Sequence, residues 1–334
     1  MKILVTGAAG FIGSSLTLAL LGRGDEVVGI DNHNDYYDPK LKEARLKRFE
    51  DHLNYCHYRV NLVDHEMLAK IFAKHLPQVV VNLAAQAGVR YSIENPRAYV
   101  ESNIVGFANI IQESRKFNVN NFVYASSSSV YGANTQLPFS THNSANHPLS
   151  MYAATKRSNE LMAHAYSHLF RMPTTGLRFF TAYGPWGRPD MALFKFTKSI
   201  IDGVPIQLFN NGQHKRDFTY IDDIVSGIML AIDNPAKPSS AWLSSSPDSA
   251  SSSAPWSIYN IGSNKPIELM QYLGEIEKAL NKKANINFLP MQPGDVLEAH
   301  ADISDLEVEF NYSPKTNIST GISNFINWYK SYYL

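Results

Sequence analysis

The sequence has little cysteine and no long apolar run. Its 334 residues include one cysteine, Cys56, so no disulfide can form within the chain, and we expect a reducing, cytoplasmic setting. No stretch approaches the ~20 apolar residues of a membrane span, so we expect no membrane partner. The 11 histidines include one helical pair, His164 and His168, with no third ligand nearby, so we predict no metal site.

Neither sign of charge is in excess. The sequence has 30 lysines and arginines against 30 aspartates and glutamates. This balance gives no electrostatic reason to expect a nucleic acid or an anionic surface as partner. We therefore expect a small-molecule ligand, and no nucleic acid.

What the first half does contain is an alternation of apolar runs with amphipathic helical segments. Apolar strands separated by such helices are typical of a buried parallel sheet. The pattern predicts an α/β fold with a Rossmann-like, doubly wound sheet. The predicted strands are residues 2–6, 26–30, 78–84 and 121–125, and the predicted helices are residues 11–21, 65–75 and 104–117.

The stretch V-T-G-A-A-G-F-I-G at residues 5–13 places Gly7, Gly10 and Gly13 between a strand and a helix. Glycines there allow a tight turn and let backbone N–H groups approach a pyrophosphate. Asp31 ends the next strand, where its carboxylate can bind both hydroxyls of an adenosine ribose. That carboxylate would repel a 2′-phosphate, so the sequence favours NAD over NADP.

Two later strand ends also fit a dinucleotide. Asn61 and the backbone of Leu62 are placed to meet the adenine edge, and the small residues of N-L-A-A-Q-A-G at 82–88 can lie beside the nicotinamide. The remaining cofactor contacts that we predict are Phe11, Ile12, Asn32, Leu83, Ala84, Ala85, Gln86 and Phe180, together with Tyr152 and Lys156.

Tyr152 and Lys156 form a Y-x-x-x-K pair on one helix face. A tyrosine with its ordinary pKa of about 10 is a poor base, but a nearby ammonium favours the phenolate. Alone, the Y-x-x-x-K motif is weak evidence for a catalytic pair. It becomes strong evidence because the same chain also has the glycine loop. Ser127, in A-S-S-S-S-V-Y-G at 125–132, follows a strand at the sheet edge where such folds bind ligands. Its hydroxyl can bond the oxygen that Tyr152 deprotonates.

These residues resemble an extended short-chain dehydrogenase/reductase. More closely, the chain resembles the NAD-dependent nucleotide-sugar 4-epimerases, and among them the UDP-glucuronate 4-epimerases. The resemblance covers almost the whole chain except the serine-rich insert near 239–256. It rests on D-N-H-N-D-Y-Y-D (31–38), L-A-A-Q-A-G-V-R-Y-S (83–92), A-S-S-S-S-V-Y-G (125–132), L-R-F-F-T-A-Y-G-P-W-G-R-P-D-M-A (177–192), K-R-D-F-T-Y-I-D-D-I (215–224), Y-N-I-G (259–262) and M-Q-P-G-D-V (291–296).

The resemblance implies an isomerase in which Ser127, Tyr152 and Lys156 are catalytic. Tyr152 would take the proton from the sugar O4 while the C4 hydride passes to a retained NAD, giving a 4-keto sugar that turns over before the hydride returns. It also implies a homodimer formed through the helices at 104–117 and 151–170.

The serine run bears on the substrate. Related 4,6-dehydratases carry acids one and two positions after the Ser127 equivalent, and related decarboxylases carry a glutamate at the second. Ser128 and Ser129 stand there instead, and hydroxyls suit a uronate carboxylate better than a glutamate does. We predict that this carboxylate is bound by Ser126, Ser127, Ser128, Thr181 and Arg188.

The resemblance assigns nucleotide recognition to the second half. By this resemblance, Arg216 binds the diphosphate, since the planar guanidinium can bond two phosphate oxygens at once. Gln292 and Asp295 would lie near the nucleotide ribose. Two residues depart from the family pattern: Asn61 replaces a common aspartate, and Asn82 stands where histidine is frequent.

We predict two units. Residues 1–180 form an NAD-binding Rossmann domain to which some later elements return, and residues 181–334 form mainly a smaller, mixed α/β lobe that binds the nucleotide sugar. Residues 238–256 include nine serines between two prolines and read as a mobile surface loop.

Other functions stay open at this stage. Within the enzymes these are 4-epimerisation of UDP-glucose, of a UDP-N-acetylhexosamine or of its uronate, followed by decarboxylation of UDP-glucuronate. Outside them, a catalytically silent NAD-binding regulator is disfavoured because Ser127, Tyr152 and Lys156 are all present.

Overall fold

The protein was analysed as a computed structural model that describes residues 1–291 and 296–334. Within these ranges the strands are β1 (Lys2–Thr6), β2 (Glu26–Asp31), β3 (Tyr55–Arg59), β4 (Val79–Asn82), β5 (Asn121–Ser127), β6 (Thr174–Phe179), β7 (Thr181–Tyr183), β8 (Ile206–Leu208), β9 (Lys215–Tyr220), β10 (Trp256–Ile261), β11 (Pro266–Glu268), β12 (Ile286–Phe288) and β13 (Glu298–Ala299).

The α-helices of the same ranges are α1 (Phe11–Arg23), α2 (Pro39–Leu46), α3 (His65–His75), α4 (Tyr91–Glu94), α5 (Pro96–Tyr99), α6 (Gly106–Lys116), α7 (Met151–Phe170), α8 (Ala192–Asp202), α9 (Ile221–Asp233), α10 (Leu269–Leu280), α11 (Ser304–Phe310) and α12 (Ile318–Tyr333). Between α5 and α6 the backbone forms wider π-helical turns at Val100–Val105, so the predicted helix at 104–117 is the end of a longer helical run.

Seven parallel strands form the central sheet in the order β10-β6-β5-β4-β1-β2-β3. This confirms the predicted Rossmann-like fold. Strand β1 pairs with β2 on one side and with β4 on the other. The strand order therefore reverses at β1, with β2 and β3 on one side and the later strands on the other. Sheets of this type bind ligands in the crevice at the carboxyl ends of the strands beside that reversal.

Both faces of the sheet are covered, as an all-parallel sheet requires. The side chains of β1 alternate between the two cores: Ile3 and Val5 belong to one buried cluster and Leu4 to the other. The first core extends to α1 and α9, and the second to α3, α6 and α7.

The second half of the chain contributes to both parts of the molecule. Strand β10 pairs with β6 at the edge of the central sheet, and α9 packs against α1. A smaller sheet is built around β9, which pairs with β7, β11 and β13, and β8 pairs with β12. The division into units at residue 180 stays a proposal.

The serine-rich segment has irregular backbone and specific contacts. The Ser239 N–H donates to the Ser252 carbonyl at 2.8 Å, and the Ser252 hydroxyl lies 2.9 Å from Nε2 of His164 on α7. Asp248 lies 2.7 Å from Nδ1 of His142. The final residue of the predicted loop, Trp256, begins β10. The mobility of the segment stays a prediction.

Candidate active site

The glycine loop is shaped by two close backbone contacts. Gly7 has a positive φ of 71°, and a Cβ there would lie 2.9 Å from the Ala84 nitrogen at the end of β4. A Cβ on Gly13 would lie 2.0 Å from the Gly7 carbonyl oxygen, far inside contact distance. The Gly10 N–H donates to that same carbonyl at 2.8 Å. Only residues without side chains allow the start of α1 to approach the strand ends this closely.

Asp31 is buried at the carboxyl end of β2, beside the glycine loop. Its Oδ2 accepts from the Ala9 N–H at 3.1 Å, and its Oδ1 accepts from the His33 N–H at 2.8 Å. A carboxylate accepts about four hydrogen bonds, so both oxygens retain capacity for a diol. The acid is thus fixed by the backbone beside the glycine loop, with acceptor capacity left for a ligand.

One open cleft follows the carboxyl edge of the central sheet. Its floor is backbone where the glycines lie, and a carboxylate stands at one end, which fits the pyrophosphate and ribose of a dinucleotide. All the predicted cofactor residues line it: Gly7, Gly10, Phe11, Ile12, Gly13, Asp31, Asn32, Asn61, Leu62, Leu83, Ala84, Ala85, Gln86, Tyr152, Lys156 and Phe180.

Tyr152 and Lys156 enter the cleft from α7, as their spacing predicts. Lys156 is 2% exposed, and its ammonium donates to the Ala125 carbonyl of β5 at 2.9 Å. Burial lowers the pKa of Lys156 to about 8. Burial also raises the pKa of Tyr152, while the Ser127 hydroxyl and the Arg188 guanidinium act to lower it. The phenol therefore needs nearby positive charge to act as a base.

Some hydroxyls of the serine run line the cleft, and one bonds a group in the interior. Ser127 and Ser128 line the cleft, and the Ser127 hydroxyl lies 3.2 Å from both the nitrogen and the hydroxyl of Ser129. Ser126 also borders the cleft, but its hydroxyl donates to the buried Glu160 at 2.6 Å. Its proton is therefore not free for a substrate carboxylate, because Glu160 holds it.

Glu160 belongs to a buried ion-pair network below the serines. Arg178 donates to both Glu160 oxygens, at 2.8 and 2.9 Å, and Arg157 donates to one of them at 2.7 Å. Burial acts to raise the pKa of Glu160, but these cations and the Ser126 hydroxyl keep it below its ordinary value. The network fixes the end of β5 against β6 and α7.

Arg188 lines the cleft on a loop that follows β7, and Thr181 lines it at the start of that strand. Arg188 is paired with Asp190 through Nε, at 2.9 Å from Oδ1, and through Nη2. The Tyr36 hydroxyl donates to Asp190 Oδ2 at 3.2 Å. Burial acts to lower the pKa of Arg188, but Asp190 outweighs it, so the guanidinium stays charged beside the cleft.

Of the nucleotide contacts predicted in the second half, the structure describes only Arg216. Arg216 is on β9, where its Nη1 donates to the carbonyls of Lys215 and Leu297, and it is not among the residues that line the cleft in the described part of the chain. Gln292 and Asp295 lie outside the described residues. All three roles stay predictions.

Two asparagines of the site have structural roles that the sequence did not predict. Asn103, in the π-helical turns, accepts from the Gln86 N–H at 2.8 Å and donates to Thr155 of α7 at 3.0 Å, so it joins the cleft wall to the helix of Tyr152. Asn82 accepts from the Thr6 hydroxyl at 2.6 Å, which gives this family departure a structural role. Both contacts join segments distant in sequence.

Residues 1–291 and 296–334 bear on metal ligation and on membrane insertion. None of these residues forms a group of three or more His, Cys, Asp or Glu side chains placed to hold a metal ion. No helix in this part of the chain is long and apolar enough to cross a membrane.

The chain is similar to known proteins over its whole length. The sequence model of the NAD dependent epimerase/dehydratase family matches residues 3–243. Protein CapI of Staphylococcus aureus is 56% identical over 100% of this chain and 99% of that protein, and UDP-glucuronate 4-epimerase 1 of Arabidopsis thaliana is 45% identical over 100% and 77%. The crystal structure of Bacillus cereus UDP-glucuronic acid 4-epimerase with UDP-glucuronic acid and NAD superposes with a TM-score of 0.89, at 33% identity and full coverage of both chains.

Proposed function

This chain belongs to the NAD dependent epimerase/dehydratase family, and we propose that it is an NAD-dependent isomerase that interconverts UDP-glucuronate and UDP-galacturonate. The observation that carries the proposal is that the glycine loop, Ser127, Tyr152 and Lys156 line one cleft. Its relatives over the full chain include UDP-glucuronate 4-epimerases, and a solved relative of the same activity contains NAD. The resemblance read from the sequence is confirmed at the level of family, activity and cofactor.

Each part of the cleft has a role in the proposed reaction. The glycine loop and Asp31 would hold NAD, which would supply the hydride acceptor for the sugar C4 and the hydride donor for the opposite face of the 4-keto sugar. Tyr152 takes the O4 proton as the carbonyl forms and gives it back as the hydroxyl reforms. Ser127 bonds the same oxygen, and Lys156 supplies the positive charge that stabilises the phenolate.

The uronate carboxylate requires its own binding groups. A 4-keto uronate is a β-keto acid, so the enzyme must hold its C6 carboxylate with the C5–C6 bond poorly aligned with the carbonyl. We assign this task to Arg188, Thr181, Ser127 and Ser128, which line the cleft. Ser126 supports them through Glu160. Ser128 and Ser129 provide no carboxylate to repel the substrate.

The surface around α6 and α7 supports a homodimer. Exposed apolar side chains lie on and beside these helices, among them Val105, which immediately precedes α6, and Leu161 (57%) and Leu169 (68%) of α7. Large exposed apolar side chains on adjoining helices are typical of a subunit interface. The single cysteine of the sequence supports a cytoplasmic location, which is likewise a proposal.

The reaction is tested by incubating the purified protein with UDP-glucuronate, without added NAD, and separating the nucleotide sugars by chromatography with mass detection. We expect a new peak of unchanged mass that comigrates with UDP-galacturonate. A product lighter by carbon dioxide would identify a decarboxylase instead. Conversion of UDP-glucose or UDP-N-acetylglucosamine, with no reaction of UDP-glucuronate, would keep the mechanism and replace the substrate.

A further inference from the structure

Arg45, on α2, is fully buried, and the proposed reaction gives it no role. Its five N–H groups make five hydrogen bonds. Nε and Nη2 donate to the Trp186 carbonyl at 3.0 and 2.7 Å, and Nη2 donates to the Gly187 carbonyl at 3.3 Å. Nη1 donates to the Tyr37 hydroxyl at 2.6 Å and to the Ala9 carbonyl at 3.3 Å. Within the described residues, none of these acceptors is a carboxylate.

Packing alone does not account for an arginine in this position. Removing a guanidinium from water is costly, and among the described residues its hydrogen bonds go to carbonyls and a hydroxyl rather than to a carboxylate that would offset the cost. The planar Arg45 guanidinium holds several acceptors in fixed relative positions, because its five donors have a rigid geometry. The acceptors belong to three segments that surround the cleft: the glycine loop, the loop after β2 and the loop after β7.

At the cofactor end, Arg45 bonds Ala9, the residue whose N–H also holds Asp31. It bonds the Ala9 carbonyl, while the Ala9 N–H donates to Asp31 Oδ2. At the other end, the Gly187 carbonyl that it bonds belongs to the same peptide unit as the nitrogen of Arg188. One side chain thus fixes both the glycine loop and the peptide immediately before Arg188.

The loop before Arg188 requires such a restraint. Trp186 has a positive φ of 65°, a conformation that residues with a Cβ rarely adopt. Its carbonyl accepts two bonds from Arg45, and its indole ring lies under the Arg48 guanidinium at 4.9 Å. Without the two bonds from Arg45, the backbone would be free to leave this conformation and carry Arg188 with it.

We propose that Arg45 is a positioning residue that sets Arg188 for the uronate carboxylate and couples its placement to the cofactor loop. The proposal rests on the function proposed above, because it takes a uronate as the ligand of Arg188. Coupling of this kind is reciprocal, so order in the glycine loop favours the binding-competent position of Arg188, and a uronate bound at Arg188 favours order in the glycine loop.

The first test is the Arg45→Lys variant of the enzyme as purified with its cofactor. Lysine keeps the charge but cannot bond three segments with one planar group. We expect the KM for UDP-glucuronate to rise at least tenfold, kcat to change less, and the share of decarboxylated product to increase. NAD released per subunit on denaturation should change less than twofold. An unchanged KM, or loss of NAD with no change in KM, would overturn the proposal.

A double-mutant cycle separates positioning from general loosening. Arg188→Gln removes the group through which Arg45 is proposed to act. If the proposal holds, adding Arg45→Lys to Arg188→Gln changes the KM far less than it does in the wild-type background. Full additivity of the two changes would show that Arg45 acts independently of Arg188. Arg48→Lys is the matched control, because Arg48 contacts the Trp186 ring but not the carbonyls, and it should leave the KM within about twofold of the wild-type value.

A second measurement does not depend on activity. Hydrogen exchange of the peptide spanning residues 184–190 should be faster in Arg45→Lys than in the wild type, and unchanged exchange would contradict the proposal. If Arg45→Lys does not fold, Tyr37→Phe is the alternative variant, because it removes one acceptor of the Arg45 guanidinium. It should speed the same exchange to a smaller extent. Unchanged exchange in Tyr37→Phe would also contradict the proposal. Failure of the wild type to convert UDP-glucuronate would refute the proposed substrate, while the exchange result would still decide whether Arg45 holds the loop.

Discussion

The imidazole rings of His33 and His57 meet through their Nε2 atoms, which lie 2.9 Å apart. At the outer ends, the Tyr55 hydroxyl is 2.8 Å from His57 Nδ1, and His33 Nδ1 is 2.9 Å from Glu43 Oε1. Each atom has one partner if Tyr55 donates to His57, His57 to His33 and His33 to Glu43, with both rings neutral. A proton added at His57 Nδ1 would make that nitrogen a donor, so the Tyr55 hydroxyl would have to accept instead of donating.

This hydrogen-bond chain predicts a loss of stability in mild acid. Burial, with a further contribution from His33, lowers the pKa of His57 to about 4, although Asp31 and Glu43 act to raise it. Between about 6.5 and 4 the unfolded chain binds more protons than the folded one, so the free energy of unfolding should fall as the pH drops through this range. Urea unfolding between pH 4 and 7.5 measures it. The slope should be smaller in His57→Gln and unchanged in a control at the exposed His65, and equal slopes in all three proteins would contradict the assignment.

Tyr152→Phe should retain NAD and the nucleotide sugar but lose turnover by roughly 10²–10⁴-fold, the usual contribution of a general acid–base group. The measurement is product formation together with the calorimetric affinity for UDP-glucuronate. Tyr166→Phe on the same helix is the matched control, because its hydroxyl bonds Gln112 and does not line the cleft. Near-normal turnover of Tyr152→Phe would rule this residue out as the base.

Asp31→Ala should reduce the NAD retained during purification and relax the preference for NAD over NADP. The acid is proposed to contact the ribose, and it also holds the backbone at Ala9 and His33. Bound nucleotide is measured after denaturation, and the preference by reloading the stripped protein with either cofactor. The exposed Asp35 of the same loop provides the control Asp35→Ala. If the preference of Asp31→Ala matched that of the wild type, Asp31 would have no part in ribose selection.

Gly13→Ala and Gly22→Ala make the same change at two positions of α1 with opposite expected results. A Cβ at Gly13 would meet the Gly7 carbonyl at 2.0 Å, so we expect a destabilisation of about 1–3 kcal/mol and loss of NAD. A Cβ at Gly22 meets nothing within 4 Å, so alanine should be neutral or stabilise the helix by up to about 1 kcal/mol. Thermal unfolding and NAD content distinguish these outcomes, and equal melting temperatures for the two variants would refute the close packing at Gly13.

The proposed homodimer predicts that a charge at Leu161 separates the subunits. Leu161→Glu would place a carboxylate in an apolar interface, which is strongly unfavourable. Sedimentation at micromolar concentration should show a dimer for the wild type and a monomer for the variant. Leu53→Glu, at a fully exposed position outside α6 and α7, should remain dimeric. A monomeric wild type would contradict the proposed homodimer.

The sequence was most informative where local pattern and spacing carry the physical requirement. The alternation of apolar strands with amphipathic helices predicted the parallel sheet, because both faces of β1 must be covered. The G-x-x-G-x-x-G spacing predicted the cofactor loop, and the i, i+4 spacing of Tyr152 and Lys156 placed both on one face of α7.

The sequence was less informative for groups whose partners are distant in the chain. Ser126 was predicted to bind the substrate directly, but its proton goes to Glu160, 34 residues away. Arg188 was predicted from its motif, yet the contacts of Asp190 and Tyr36 that hold it were not. The predicted strand at 78–84 ends at Asn82, since the backbone that follows must pass beside Gly7.

The sequence by itself therefore determined the fold class, the family and the cofactor, and it predicted the reacting side chains, because each depends on residues close together in the chain or on a family pattern. Only the tertiary structure decided which hydroxyls are free, which ion pairs are buried, and that Arg45 joins the glycine loop to the loop of Arg188. The physical reason is that hydrogen-bond partners and burial depend on distances between atoms. For residues 36, 141 or 142 positions apart, as Ala9, Trp186 and Gly187 are from Arg45, folding alone sets those distances.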